Sequence, residues 1–332
     1  MKILFIGGTG LISTAVSKVV LQSNNELYIL NRGNNNDFLP KKVKILIGNI
    51  NNENSIKELI KDLYFDVVVQ WIAFTKDQVE RDYRLFNGKT KQYIFISSAS
   101  VYQKPFLKYP LTEKHPIGNK YWDYSENKKL CEDYLQSINN KQFNVTIIRP
   151  SHTYDDEKIV SIMKSHVSPY TIIDRLLKGK KIIIPGDGTS LWTLTYNVDF
   201  AEGFVNVLGN KKTYGEVYHI TSDFIYTWER INEILCENLG VTPNIIHIPT
   251  DFILKYAPFL KGDLLGDKIW SAVFNNSKIK EISSDFKAKT SYEEIAPFAL
   301  QKILENKVKK TIDEDFNKWY DIIISEYEKL AN

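Results

Sequence analysis

Apolar residues recur along the first half of the chain in two rhythms. Short runs without alternation, Ile3-Leu4-Phe5-Ile6, Val67-Val68-Val69 and Tyr93-Ile94-Phe95-Ile96, have the character of strands covered on both faces. Between them lie segments whose apolar residues return every three or four positions, as on one side of a helix. Together these rhythms predict strand 2–6, helix 11–22, strand 26–31, strand 43–47, helix 53–63, strand 66–72, helix 76–87, strand 92–97, helix 121–139 and strand 143–148. Such alternation implies βαβ units, and so a doubly wound parallel sheet with helices on both faces. Right-handed crossovers bring the carboxyl ends of its strands to one edge, where ligands bind.

Beyond about residue 165 the rhythm loosens. A helix is expected over 169–178, a strand over 180–184 and a turn at Pro185-Gly186-Asp187-Gly188. Asp199 stands as the N-cap of a helix that ends at Gly209, and another helix runs from Thr227 to Gly240. Helices 291–306 and 312–330 close the chain. The pattern divides it into a sheet-based unit, residues 1–168, to which segments near 191–222 can return, and a smaller α/β unit, residues 169–332.

Composition narrows the class without naming a function. The 332 residues are 43% hydrophobic and 25% charged, with a net charge of +3, ordinary for a soluble globular protein and too dispersed to argue for nucleic acid. Only two cysteines occur, Cys131 and Cys236, without ligand spacing, and five histidines are scattered at 115, 152, 166, 219 and 247, so no metal site is expected. No stretch approaches the ~18 apolar residues of a membrane span. A cytoplasmic protein without a membrane partner is the expectation.

Chemistry enters at Gly7-Gly8-Thr9-Gly10-Leu11-Ile12-Ser13, which follows the first strand and opens the first helix. Glycines there permit a tight turn and a close approach of backbone to a diphosphate, while the amides of Leu11 and Ile12 at the helix start supply donors and a positive dipole end. A dinucleotide is the expected ligand, with Gly7, Thr9 and Gly10 at its phosphates. About twenty residues on, where an acid would bind an adenosine ribose, the chain reads Asn31-Arg32-Gly33. An arginine can clamp a 2′-phosphate with a planar fork of donors, so NADP is favoured over NAD. Gly48-Asn49-Ile50, at the end of the third strand, is placed beside the adenine.

A second constellation lies at the end of strand 92–97. Ser98 and Ser100 stand there, and Tyr124 and Lys128 follow one helical turn apart, with Tyr124 26 residues beyond Ser98. An ammonium beside a phenol favours the phenolate, so Tyr124 is expected to have a lowered pKa and to act as general acid and base, with Ser98 orienting a substrate oxygen. A second Tyr-x-x-x-Lys, Tyr154 to Lys158, has no strand-end serine before it and reads as a loop.

The glycine turn, the Ser97-Ser98-Ala99-Ser100-Val101-Tyr102 strand end and the Tyr124-x-x-x-Lys128 helix together resemble the extended short-chain dehydrogenase/reductases, specifically the NAD-dependent epimerase/dehydratase family. The resemblance implies a Rossmann-type sheet with a smaller C-terminal substrate unit, a tightly held NAD or NADP, and often a nucleotide-sugar substrate. It also implies Ser98, Tyr124 and Lys128 as catalytic residues, with Tyr124 and Lys128 also at the cofactor and Lys128 hydrogen-bonding the nicotinamide ribose, Trp71, Ile72 and Ala73 against the cofactor, Pro150 and His152 near the nicotinamide and substrate, and a homodimer built on helices 76–87 and 121–139.

Departures from the family pattern are specific. Ser13 stands at the third glycine, Asn49 at a usual acid and Gln103 at a glycine. Where sugar-nucleotide enzymes tend to place Arg-Asp-Phe, the chain reads Trp192-Thr193-Leu194, so the arginine expected for a substrate diphosphate is absent. Trp192 either offers a face to a sugar ring or fills the core. Three readings follow: a sugar-modifying epimerase or dehydratase, an NADP-dependent reductase, or a non-catalytic binding member similar to the chloroplast stem-loop RNA-binding proteins. The intact Ser98, Tyr124 and Lys128 set and the lack of a basic stripe speak against the last.

Overall fold

A computed structural model describes residues 1–37, 39–284, 286–306 and 310–330. Its strands are β1 (Lys2–Ile6), β2 (Glu26–Asn31), β3 (Lys44–Ile47), β4 (Phe65–Gln70), β5 (Thr90–Ile96), β6 (Asn144–Pro150), β7 (His152–Tyr154), β8 (Ile182–Pro185), β9 (Leu191–Tyr196), β10 (Val217–Ile220), β11 (Ile225–Thr227) and β12 (Ile245–Ile248). Seven form one sheet in the order β10-β6-β5-β4-β1-β2-β3, every neighbouring pair parallel. The strand order reverses between β1 and β4, which opens a crevice at their carboxyl ends. The structure thus has the doubly wound, Rossmann-type sheet that the alternation predicts.

The unalternating runs are explained by burial on both faces. Ile3, Phe5, Val67, Val69, Ile94 and Ile96 pack under helices α1 (Leu11–Val20) and α6 (Asn197–Phe204). Leu4, Ile6, Val68, Tyr93 and Phe95 pack on the other face, under α2 (Glu53–Leu59), α3 (Lys76–Phe86) and α4 (Asp123–Ile138). At about 1.5–3 kcal/mol for each fully buried aliphatic side chain, these two layers account for much of the driving force for folding. A further core, from Ala99 and Tyr102 to Ile323, joins β7, β8, β9, β11 and β12 to the helices α5 (Tyr170–Leu177), α7 (Trp228–Leu239), Tyr292–Glu305 and Glu314–Glu328. This second lobe covers the carboxyl edge of the sheet beside β5 and β6.

Two local expectations are corrected. Asp199 does not cap its helix: β9 runs straight into α6, which begins two residues earlier, and the Asp199 carboxylate instead accepts from the Thr290 amide at 2.8 Å and hydroxyl at 2.9 Å. Tyr154 lies in strand β7 rather than a loop, paired with Tyr196. By contrast, Thr227 does cap α7, accepting from the Arg230 amide, and Gly240 ends it at φ +67°. Among the described residues no helix is long and apolar enough to cross a membrane, and no cluster of His, Cys, Asp or Glu could hold a metal ion.

Under the crevice runs a buried polar chain. The Glu132 carboxylate accepts from Arg149 at 2.5 Å and from the Ser97 hydroxyl at 2.5 Å, Arg149 donates to the Tyr102 hydroxyl at 3.0 Å, and Tyr102 meets His219 Nε2. His219 has no exposed surface, and burial, reinforced by the nearby Arg149 charge, holds its imidazole well below the ordinary 6.5. Below pH 6.5 the unfolded chain therefore takes up a proton that the folded chain refuses. Stability is expected to fall through this residue by about 1.4 kcal/mol per pH unit. Urea unfolding at pH 7 and pH 5.5 checks this: His219→Gln should remove about 1 kcal/mol of the loss over that range, and an unchanged loss would refute the assignment.

Candidate active site

The glycine turn forms the first wall of the crevice. Gly7 adopts φ +87° and Gly8 φ +112°, and a Cβ on Gly7 would come within 2.7 Å of Ile72 Cγ2, so the backbone needs glycine here. Ile72 is held in place from below. Its amide donates to Gln70 Oε1 at 2.8 Å, while Gln70 Nε2 donates to Asp82, which also accepts from Tyr93 and Arg81. Ser13, in the place of a third glycine, is accommodated by bonding to the turn itself: Gly10 N donates to its hydroxyl at 2.9 Å, and the hydroxyl donates back to Gly10 O at 3.2 Å.

A cavity of about 300 Å³ opens over the ends of β1, β2 and β3, lined by Gly7, Thr9, Arg32, Asn49, Ile50 and Ile72 among others. Asn31, at the end of β2, shapes its rim: its side-chain oxygen accepts from Gly33 N at 2.8 Å and its amide donates to Asn36 at 2.7 Å. Arg32 is exposed at the same rim and has no hydrogen bond or ion pair among the described residues. Among the described residues no carboxylate lines this cavity. The cradle fits the diphosphate and adenosine end of a dinucleotide: room that a Cβ would fill, a helix start behind it and a free guanidinium at its lip.

The second cavity, about 340 Å³, lies over the ends of β5 and β6 and under the second lobe. It brings together Ser98, Ser100, Tyr124, Pro150, His152 and Trp192. Ser98 stands at the end of β5 as the N-cap of a single turn, its hydroxyl accepting from Ser100 N at 3.1 Å and lying 2.9 Å from the Ser100 hydroxyl, which accepts in turn from Ser125 at 2.8 Å. Lys128 is buried beneath Tyr124 on α4. It donates to Ala73 O at 2.7 Å and Ile96 O at 2.8 Å, which ties the ends of β4 and β5 together.

The electrostatics correct one expectation. The Tyr124 phenol is held above, not below, its ordinary value, because burial outweighs the Ser98 hydroxyl beside it. Lys128 cannot oppose this as expected, since burial lowers it to about 8 and its ammonium, 5.9 Å from the Tyr124 ring centre, is already engaged by two carbonyls. In this environment Tyr124 is a proton donor at neutral pH.

Other expected residues are placed less directly. Trp71 is turned away: its ring packs on Phe5 and Phe204, each at 5.4 Å, and lines neither cavity. Gly10, Leu11 and Ile12 form the start of α1 without lining either cavity, and Ala73 takes part through its carbonyl on Lys128. Trp192 fills the core, since it is 2% exposed and donates from Nε1 to Lys268 O at 3.0 Å, and it also borders the cavity. His152 packs edge-on to Trp192 and Trp228, and burial lowers it to about 3, so it is neutral at any ordinary pH. Phe106, Trp122, Asp267 and Phe274 also line the cavity. They sit outside any motif, on segments that meet only through long-range folding.

Comparison with known proteins agrees with this architecture. The model of the NAD dependent epimerase/dehydratase family matches residues 3–221. Over 266 residues the chain is 27% identical to the chloroplast stem-loop binding protein of 41 kDa b of Arabidopsis thaliana, covering 76% of this chain and 67% of that protein. Over 208 residues it is 23% identical to a UDP-glucose 4-epimerase of Lactobacillus helveticus, covering 57% of this chain and 62% of that protein, less than two thirds of its length. Among solved structures, UDP-glucuronic acid 4-epimerase from Bacillus cereus superposes with a TM-score of 0.72 at 18% identity, over 92% of this chain and 99% of that one. A dTDP-glucose 4,6-dehydratase from Bacillus anthracis does so with a TM-score of 0.71 at 20% identity, over 93% and 98%. The glycine cradle, the parallel sheet and the family match over most of the chain agree, and the protein belongs to the NAD-dependent epimerase/dehydratase family.

Proposed function

We propose that the chain is a nicotinamide-dependent enzyme that transiently oxidises a hydroxyl-bearing carbon of a sugar or sugar-like substrate, as an epimerase or dehydratase. The observation that carries this reading is the convergence of Ser98 and Tyr124 on one cavity at the carboxyl edge of the sheet, next to a cradle that fits a dinucleotide. A bound nicotinamide dinucleotide supplies the hydride acceptor and donor. Gly7, Thr9, Arg32, Asn49 and Ile50 hold its adenosine and phosphate end together with the amides of Leu11 and Ile12, and Ala73, Lys128 and Pro150 border its other end. Ser98 donates to the substrate oxygen and sets its direction. Tyr124 Oη exchanges the hydroxyl proton with the substrate as the carbon loses or regains hydride, so charge does not accumulate on the oxygen. Lys128 keeps the two strand ends, and with them Ser98 and Ala73, in register.

Arg32 argues for NADP, because among the described residues it is an unpaired cation at a rim without carboxylates. The nucleotide released by denaturing the purified protein tests the reading. NADP, or NAD, held and fully oxidised supports the internal redox cycle, whereas a freely exchanging cofactor supports net reduction. Arg32→Ala is expected to weaken NADP about tenfold relative to NAD, and an unchanged ratio would remove the clamp. The Arabidopsis relative, named for stem-loop binding, keeps a second reading open to the same experiment: salt-sensitive RNA binding without any nucleotide would favour it over catalysis. A homodimer through α3 and α4, which pack side by side, belongs to the same proposal.

A further inference from the structure

The cavity that holds Tyr124 has an unusual wall. Among the described residues its lining includes the rings of Phe106, Trp122, His152, Trp192 and Phe274 and one carboxylate, Asp267, but no lysine or arginine. Asp267 sits in the wide helical turn Leu264–Lys268, in which Ile269 N reaches back to Leu264 O at 3.2 Å. Turns of this kind are rare and recur at functional sites.

This one is fixed from several sides. Asn119 donates to Gly266 O at 2.6 Å, Trp192 and Trp228 both donate to Lys268 O, at 3.0 and 2.9 Å, and a Cβ on Gly266 would come within 2.7 Å of Trp122. Fixed by this frame, the Asp267 carboxylate has no hydrogen bond within the protein among the described residues. The charged groups that face it are Lys104 and Lys268, which attract it, and Asp263, which repels it. Lys104 is already committed to Ser100 O and Tyr102 O, and Lys268 to Asp263. Burial raises Asp267 to about 6, so it is largely ionised at neutral pH.

Asp267 is half-buried and its carboxylate borders the cavity without a donor among the described residues, so a ligand with donors can satisfy it. A phosphate would not: it would meet a like charge and find no cation on the cavity wall. Polar hydroxyls on a flat apolar ring meet both features, since hydroxyls donate to the carboxylate while the ring lies against aromatic faces. The volume, about 340 Å³, is at the small end for ligand pockets.

We propose that Asp267 is a substrate-contacting specificity residue, that its carboxylate accepts hydrogen bonds from hydroxyls of an unphosphorylated sugar ring, and that the cavity takes such a ring in preference to a sugar nucleotide. This rests on the reading of the cavity as the substrate site. Trp192, standing where a diphosphate-binding arginine was expected, fits the same account.

Binding can be read without turnover, because Trp122 and Trp192 border the cavity and report through their fluorescence. The full-length protein is saturated with its cofactor and titrated with D-glucose, D-galactose, D-mannose and N-acetyl-D-glucosamine, and in parallel with UDP-glucose and glucose 6-phosphate. At least one neutral hexose is expected to saturate the signal at a lower concentration than either phosphorylated probe. Asp267→Asn should weaken that hexose about tenfold while leaving thermal stability equal or higher, an outcome that a purely structural role does not produce. The proposal is overturned if no neutral hexose binds, if UDP-glucose binds more tightly than all of them, or if Asp267→Asn binds them unchanged. A hexose that binds through Asp267 but is recovered unchanged, neither epimerised, dehydrated nor oxidised, would count against the redox reading alone.

Discussion

Tyr124→Phe is expected to lower turnover by about 10²–10⁴-fold, the usual contribution of a positioned acid–base group, while cofactor binding stays intact. The phenol is the one titratable group of the Ser98, Tyr124 and Lys128 set that borders the cavity, and Ser98 lies against it. Removing its oxygen leaves the substrate hydroxyl without a proton acceptor as hydride departs. The ring remains, still packed 4.9 Å from Trp122 and 6.1 Å from Phe74, so the fold should be undisturbed. Because burial raises the phenol's pKa, rates in the direction that needs the deprotonated form should rise as pH increases above neutrality. The check is kcat against pH for the wild type and the variant on any turned-over substrate. Turnover within a few-fold of wild type, or a wild-type profile flat across the alkaline range, would sink the assignment.

Glu132→Ala should destabilise the protein by about 3–5 kcal/mol, because the loss leaves Arg149 buried and without its counter-charge. The two side chains are 0% and 3% exposed and 2.5 Å apart, and Glu132 also accepts from Ser97, the residue before Ser98. Attraction alone is a poor guide to what such a pair contributes, since desolvating both charges offsets it. The double variant Glu132→Ala with Arg149→Met should therefore recover most of the loss. Denaturant unfolding of the single and double variants measures both. A single-variant loss below about 1 kcal/mol, or a double variant no more stable than the single, would show that the pair is not held as the geometry suggests.

The contrast between these two sites shows what was legible in the chain. Tyr124 and Lys128 are one turn apart on one helix, Ser98 ends a strand with no alternation, and the glycines stand at the first strand end. Each is a local pattern, readable because helix and strand periods dictate which residues share a face. The role of Lys128 was not legible, because its partners, Ala73 O and Ile96 O, belong to two other strand ends. Nor was Asp267, which enters the cavity from a turn 139 residues beyond Lys128 and has no motif around it. Trp71 misled for a related reason: it stands at a strand end, but its ring follows the pleat to the face of α1 and α6.

By itself the sequence determined the parallel sheet, the order of its first strands and helices, the glycine turn at the first strand end and the placement of Tyr124 and Lys128 one helical turn apart. All of these follow from periodicity and from backbone geometry that only glycine adopts. Tertiary structure alone decided the chemistry of those groups and the walls around them. Burial, not the neighbouring lysine, sets the Tyr124 proton, and the second lobe brings the Asp267 carboxylate and a set of aromatic rings to the same cavity. The reason is that a dielectric environment and a cavity wall are properties of segments far apart in the chain, and they exist only once those segments have packed together.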